Sequence, residues 1–394
     1  MVRTYFVLFA LVLLGACAPQ NRGMQSSPFE PYARGTGDGN MMPVARDQNQ
    51  MFQPQATATA NGKVAILLPL SGPQAQIGQS MLNAAQLALF DVNDAGFELL
   101  PFDTQGTTSG TTRAVNDASA QGVKLILGPL LANNVVAAGR AARTANLQVI
   151  GFTTDATKVS GNISTLGILP LDQGNRMAQY ARKAGLSRIA IIDPNTAYSR
   201  TVISAFENKA RRLGIQIAAK TSPSNAIQTL SARQGAFDAI FLPVGNPQLT
   251  GLSRALSQNG MASNIVPWLG VGLWDDNSIQ ANPAMRNAIY SAPTRVQRTN
   301  FERQYQSAYG SKPQRLASLA YDATALSIVL LRQNNRFIDR NAIMNPNGFT
   351  GIDGIFRFQN NGLAERGMAV HRITGRGQTT IIDQAPSSFQ VSGL

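Results

Sequence analysis

The chain has 394 residues, one His, one Cys, and a formal net charge of +13 from 34 Lys and Arg against 21 Asp and Glu. A single Cys cannot close an internal disulfide, and a single His, His371, supports neither a Ser-His-Asp triad nor a multi-His zinc site. The basic residues are dispersed rather than interleaved with aromatics, and no zinc-type or helix-turn-helix spacing occurs, which speaks against nucleic acid as a partner.

Arg3 precedes an apolar stretch over 5–14, too short to span a bilayer but suited to a signal-peptide core. It runs into Leu14-Gly15-Ala16-Cys17, small residues before a Cys that resemble the bacterial lipobox. The expectation is a signal peptide over 1–16 and acylation of Cys17. Residue 18 is Ala rather than Asp, which by resemblance to lipoprotein sorting in diderm bacteria points to the outer membrane. The segment to residue 61 is rich in Gln, Asn, Pro, Gly and Thr without apolar periodicity, and reads as a disordered tether with an r.m.s. span of roughly 35–40 Å.

The folded part opens with a nearly all-apolar run over 64–68, the signature of a strand buried on both faces of a parallel sheet. Pro69, Ser71, Gly72 and Pro73 break the chain. Helical spacing follows over 77–92, then a second apolar run over 97–102 that ends on Asp103. This is a βαβ unit, and its first loop lies at the carboxyl edge, where open α/β sheets meet ligands. Alternation continues with helices over 107–121 and 135–145 and strands over 123–127 and 148–152. A short extended piece at 167–170 leads to 171–174, which looks like a crossing point. A second series has helices over 176–184, 198–213, 227–233 and 249–258 and strands over 188–192, 215–219, 239–242 and 265–269. Such repetition argues for two parallel α/β lobes. The spread-out Arg and Lys are either solvated helix faces or a means of attraction to an anionic surface.

Several stretches carry a family resemblance: AILLPLSGPQAQIGQSMLNAAQLALFDVN, LILGPLLANNVVAAGRAARTANLQVIGFTT, RIAIIDPNTAYSRTVISAFENKARRLG, FDAIFLPV, LASLAYDATALSIVLL and GFTGIDGIFRFQNNGLAERGMAVHRI. They resemble, in this order, the type I periplasmic binding fold of the Leu/Ile/Val-binding proteins. The resemblance implies an α/β fold of two lobes, each a parallel sheet flanked by helices, with three interlobe crossings and a ligand cleft. Lobe 1 would be 62–172 plus 295–345, lobe 2 173–294 plus 346–385, and the tail 386–394.

By the same resemblance Ser71 and Gly72 face the cleft. The loop at 128–134 has Ala or Asn, including Asn133, where amino-acid-binding members carry a hydroxyl. The loop with Thr153, Thr154 and Asp155 has a carboxylate near the family's Thr. A carboxylate beside a ligand carboxylate is repulsive; alternatively Asp155 is a helix N-cap. Tyr198 matches a cleft-lining Tyr. The later loop 270–276 reads as cleft wall, and Trp274 in it is either a lid or ligand contact or a hinge-packing core residue. The chain also resembles the outer-membrane lipoprotein activators of penicillin-binding proteins, in their C-terminal binding-protein-like domain, with the helical-repeat N-terminal domain replaced by the tether.

Neither a phosphate loop nor an acid/base pair is expected: Asp91 and Asp94 read as a solvated helix end. The expected protein is not an enzyme and needs no metal or other cofactor. It sits on the periplasmic face of the outer membrane through its N-terminal lipid. Its expected partner is a class A penicillin-binding protein, a peptidoglycan synthase that it activates by docking, with room for a small-molecule ligand in the cleft. The alternative is a substrate-binding lipoprotein of an ABC transporter for amino acids or amide-like molecules.

Overall fold

The computed structural model describes residues 62–333 and 338–389. The signal segment, Cys17, the tether and the last five residues lie outside the described residues. In chain order, β1 (Gly62–Leu68), α1 (Ala75–Val92), β2 (Phe97–Asp103), α2 (Thr108–Ala120), β3 (Leu125–Leu127), α3 (Ala132–Arg143), β4 (Gln148–Gly151) and β5 (Ile163–Thr165) form the first α/β layer. Its five strands are all parallel, in the order β2-β1-β3-β4-β5.

Then follow α4 (Pro170–Lys183), β6 (Arg188–Ile192), α5 (Ala197–Arg212), β7 (Gln216–Thr221), α6 (Ala226–Ser231), β8 (Ala239–Phe241), α7 (Gln248–Gln258), β9 (Trp268–Gly270), α8 (Asn277–Ala281) and β10 (Ile289–Ala292). The remainder is α9 (Val296–Tyr309), α10 (Ala317–Gln333), α11 (Arg340–Ile343), β11 (Phe349–Gly351), β12 (Gly354–Phe358), β13 (Ala364–Arg366), β14 (Ala369–Gly375) and β15 (Gln378–Asp383). The second sheet runs β15-β14-β10-β9-β8-β6-β7, and β11-β12-β13 make a small third sheet. The chain passes between the two main layers three times, after β5, after β10 and after β13.

The first core explains the order. Val64, Ile66 and Leu68 of β1 pack with Met81, Leu82 and Ala85 of α1 and with Leu319, Ala323 and Leu326 of α10. Each Val, Ile, Leu or Met among them contributes roughly 1.5–3 kcal/mol when fully buried. Helix α10 is buried on almost its whole circumference from Ala317 to Leu331, because α1, α9 and the third sheet enclose it. In the second lobe, α5 starts on a capping box in which Thr196 and Ser199 satisfy each other's backbone N–H.

Four differences from the sequence reading have physical causes. Helix α4 begins at Pro170, so 171–174 form its first turn rather than a crossing; Pro at the first helical position is pre-set for that conformation. The second sheet is parallel only from β7 to β10; β14 and β15 are antiparallel, joined by a hairpin. The stretch 349–366 was assigned to lobe 2, but Phe349, Phe356, Phe358 and Ala364 pack in the core around β1 and α10, on lobe 1. Strands β5 and β10 and helix α8 had no sequence counterpart, being three to five residues long.

Candidate functional site

The segments that follow β5 in the first sheet and β6, β9 and β10 in the second carry residues that line a cavity between the lobes. On lobe 1, Asp103 at the end of β2 organises the loop after β1. Its Oδ1 accepts from Leu70 N at 2.9 Å, Gln105 N at 2.7 Å and Ser71 N at 3.3 Å. Burial would raise this carboxyl; the hydrogen bonds, including one from the Ser71 side chain, hold it below the usual range. Ser71 and Gly72 are exposed, and Gly72 has φ +78°, which only Gly adopts without strain. Asn133 is exposed in the first turn of α3.

After β4, Thr153 is buried and its Oγ1 accepts from Asp155 N at 3.0 Å. Thr154 is exposed. Asp155 caps a short 3-10 turn: its Oδ1 takes the Thr157 N–H at 3.0 Å and the Thr157 hydroxyl at 2.6 Å. The Thr157 hydroxyl, against burial, holds this carboxyl below the usual range, with Lys158 adding to it. The cap reading of Asp155 is the one the geometry adopts.

A cavity of about 270 Å³ lies where the lobes meet. Gln173 of α4, Tyr198 of α5, Asp275 and Asp276 after β9, Pro293 after β10 and Arg315 before α10 are among its lining. Of the residues singled out by sequence, Tyr198 lines it; Ser71, Gly72, Asn133, Thr153, Thr154 and Asp155 do not. Trp274 does not either. It is fully buried, its indole N–H donates to Val244 O at 2.8 Å, and it packs in the lobe-2 core, so it is neither wall nor lid.

The polar groups of this cavity are already partnered. Gln173 Oε1 accepts from the Tyr198 hydroxyl at 2.8 Å and from Gly272 N at 2.7 Å. Burial pushes the Tyr198 phenol up, so it stays a neutral donor. Asp275 Oδ1 accepts from Arg295 Nε at 2.8 Å and Oδ2 from Arg298 Nη2 at 2.6 Å. Burial alone would raise that carboxyl; Arg298 and Arg295 hold it at about 2. Asp276 caps α8 through Ser278 N and Ile279 N. Arg315 pairs with the fully buried Asp353 at 2.9 Å. Burial would raise Asp353, but Arg315 and Arg366 hold it below the usual range.

The sequence reading placed the loop 270–276 in the cleft wall, and Gly272, Leu273, Asp275 and Asp276 line the cavity; Gln173 and Arg315 were not expected there. Arg315 has no local signal; α9 and α10 bring it there. Among the described residues, no group of three or more His, Cys, Asp or Glu is placed to hold a metal ion. His371 is buried in β14 and stacks on Tyr290 at 5.1 Å, and burial pulls its pKa down.

Residues 62–378 match the sequence profile of the family described as periplasmic binding protein. A curated relative, the penicillin-binding protein activator LpoA of Mannheimia succiniciproducens, is 24% identical over 217 residues. That alignment covers 53% of this chain and 37% of the relative, little over a third of its length. Among solved structures, one described as a branched-chain amino acid ABC transporter from Rhodospirillum rubrum superposes with a TM-score of 0.74 at 18% identity, covering 82% of this chain and 99% of the other. The C-domain of LpoA (YraM) from Haemophilus influenzae, described as a regulator of PBP1A, gives 0.64 at 18% identity, covering 82% and 100%. Leucine-binding protein LivK of Thermotoga maritima gives 0.55 at 21%, covering 82% and 98%. At these identities the solved structures show the fold.

Proposed function

The chain belongs to the periplasmic binding protein family, and from that premise we propose that it is a periplasmic lipoprotein that activates a class A penicillin-binding protein by direct docking. A lipid on Cys17 would hold it to the outer membrane, with lobe 1 and lobe 2 presented to the synthase. The division is the one read from sequence, with 349–366 moved to lobe 1. The protein acts by binding and regulation, without a catalytic role or a cofactor.

The observation that carries this reading is the cavity between the lobes, where every charged or amide group is held by a partner from the chain itself. A fold built around a ligand, with its anchoring groups committed to internal contacts, is suited to presenting surfaces rather than to capturing a solute. Similarity to the LpoA proteins supports the same direction. Docking would shift the synthase towards its active state by binding that state more tightly.

Crosslinking in cells followed by mass spectrometry tests this. The expected dominant partner is a peptidoglycan synthase. Recovery of an ABC permease in its place would sink the proposal and favour the solute-binding reading.

A further inference from the structure

Away from the interlobe cavity, a groove of about 550 Å³ runs along one face of α4. Its floor is the polar stripe of α4 that includes Asn175, Arg176, Gln179 and Lys183, spaced at helical intervals opposite the buried face. From Asp172 to Lys183 the helix rises ~16 Å, the length of an extended peptide of about five residues. Lys209 and Arg212 of α5 form one wall and Arg357 of β12 the other. We propose that this groove is a docking site for an extended acidic segment of a partner protein.

Two observations point to a peptide rather than a lipid surface. The site is a groove rather than a flat face, and its cations are spread around it over α4, α5 and β12. The groove also already holds a stretch of this same chain, 383–389, through one carboxylate and two backbone carbonyls. At the end of β15, Asp383 is held by Arg176 at 2.9 Å and Lys183 at 2.7 Å. The Gln384 carbonyl accepts from Arg176 Nη2 at 3.0 Å, and the Phe389 carbonyl accepts from Arg357 Nη1 at 3.4 Å. Lys209 and Arg212 have no ion pair among the described residues and remain for an acidic strand laid alongside. The helix macrodipole attracts cations to the last turn of α5, whereas Arg357 stands on a strand and is paired with Glu365 of the same groove at 2.8 Å.

The test uses the full chain and a fluorescent peptide of eight glutamates, read by anisotropy. A matched control exists in α3, whose last turn also carries two basic residues, Arg140 and Arg143. The double variant Lys209→Glu/Arg212→Glu should weaken peptide binding at least tenfold. Arg140→Glu/Arg143→Glu has the same net charge and the same helix-end position, and should change it less than twofold. Equal losses in both variants would mean that the overall charge, not the groove, binds the peptide, and would overturn the proposal. Absence of peptide binding by the unsubstituted chain would overturn it too. So would phosphatidylglycerol vesicles whose binding depends on Lys209 and Arg212 while the peptide's does not. Thermal unfolding of each variant identifies a misfolded one, and the single substitution Arg212→Ala, at an exposed position, then replaces the pair.

Discussion

Arg298 on α9 donates from Nη2 to Asp275 Oδ2 at 2.6 Å, which ties the helix entering lobe 1 to the loop after β9 of lobe 2. Arg298 is 8% exposed and its Nη1 has no hydrogen-bond partner among the described residues; Asp275 is its hydrogen-bonded carboxylate, with Glu302 of the next helical turn at 3.7 Å from Nε. Arg295 joins the same carboxylate. The second crossing is therefore a charged clasp.

Asp275→Ala should destabilise the protein by about 3 kcal/mol, because it removes the main counter-charge of a buried arginine and leaves it only the half-exposed Glu302. Urea unfolding should show a lower midpoint with an unchanged slope. The pH dependence has a definite sign. The folded carboxyl sits at about 2, below its unfolded value of 3.8. The stabilisation is present above that unfolded value and is lost as pH falls towards 2. The gap between the unsubstituted protein and Asp275→Ala should narrow over that window. A gap that stays constant to pH 2 would show that the clasp does not act through charge.

Asp172 in the first turn of α4 should act in the opposite sense. It is 6% exposed and accepts from Arg366 N at 3.1 Å. Burial pushes its carboxyl up to about 8, against the Arg366 hydrogen bond and with the Glu365 charge adding to the rise. The folded state then holds a proton that the unfolded chain releases near 3.8. Stability should fall as pH rises from about 4 to about 8, by up to about 1.4 kcal/mol per pH unit. Asp172→Asn keeps the acceptor oxygen and should flatten that slope in melts followed from pH 5 to 8.

Gly78→Ala decides between two opposed effects. Ala in place of Gly inside a helix is worth roughly 1 kcal/mol in propensity. A Cβ at Gly78, however, would overlap the Pro69 carbonyl, a backbone atom that cannot swing away. Overpacking of this kind costs typically 1–3 kcal/mol, and more against backbone. The net change should be a loss of stability, read as a lower melting temperature. A stabilised variant would mean that the loop after β1 yields readily.

Much of the fold could be read from residues because burial on both faces leaves long apolar runs. The stretches 64–68 and 188–192 correspond to β1 and β6. Elements of three residues, such as β5, carry too few positions to show a period. The antiparallel end of the second sheet was hidden because parallel and antiparallel partners are chosen by connection, and β14 comes from the far end of the chain. The site was harder still. Trp274 and Asp155 have the residue types of a ligand pocket, but the indole N–H goes to Val244 O and the carboxylate to its own turn. Arg315 reaches the cavity only because α10 is threaded through lobe 1, a tertiary fact with no local trace.

The cavity itself makes the last prediction. An amino-acid ligand needs a cation or hydroxyl for its carboxylate and a carboxylate for its ammonium. Arg315 is the cation present, and it is engaged by Asp353. Asp275 is engaged by two arginines, and Asp276 by the first turn of α8. A ligand carboxylate would have to compete with the fully buried Asp353 for Arg315, and a ligand ammonium with two arginines for Asp275; either exchange leaves a buried charge uncompensated. A thermal-shift series with the twenty amino acids should therefore move the melting temperature by less than about 1 °C. A ligand at a hundred times its dissociation constant would add about 2.7 kcal/mol, which for a domain of this size is a rise of several degrees. Such a rise with any one amino acid would show that the clasp opens for a solute, and would turn the reading from docking back to transport.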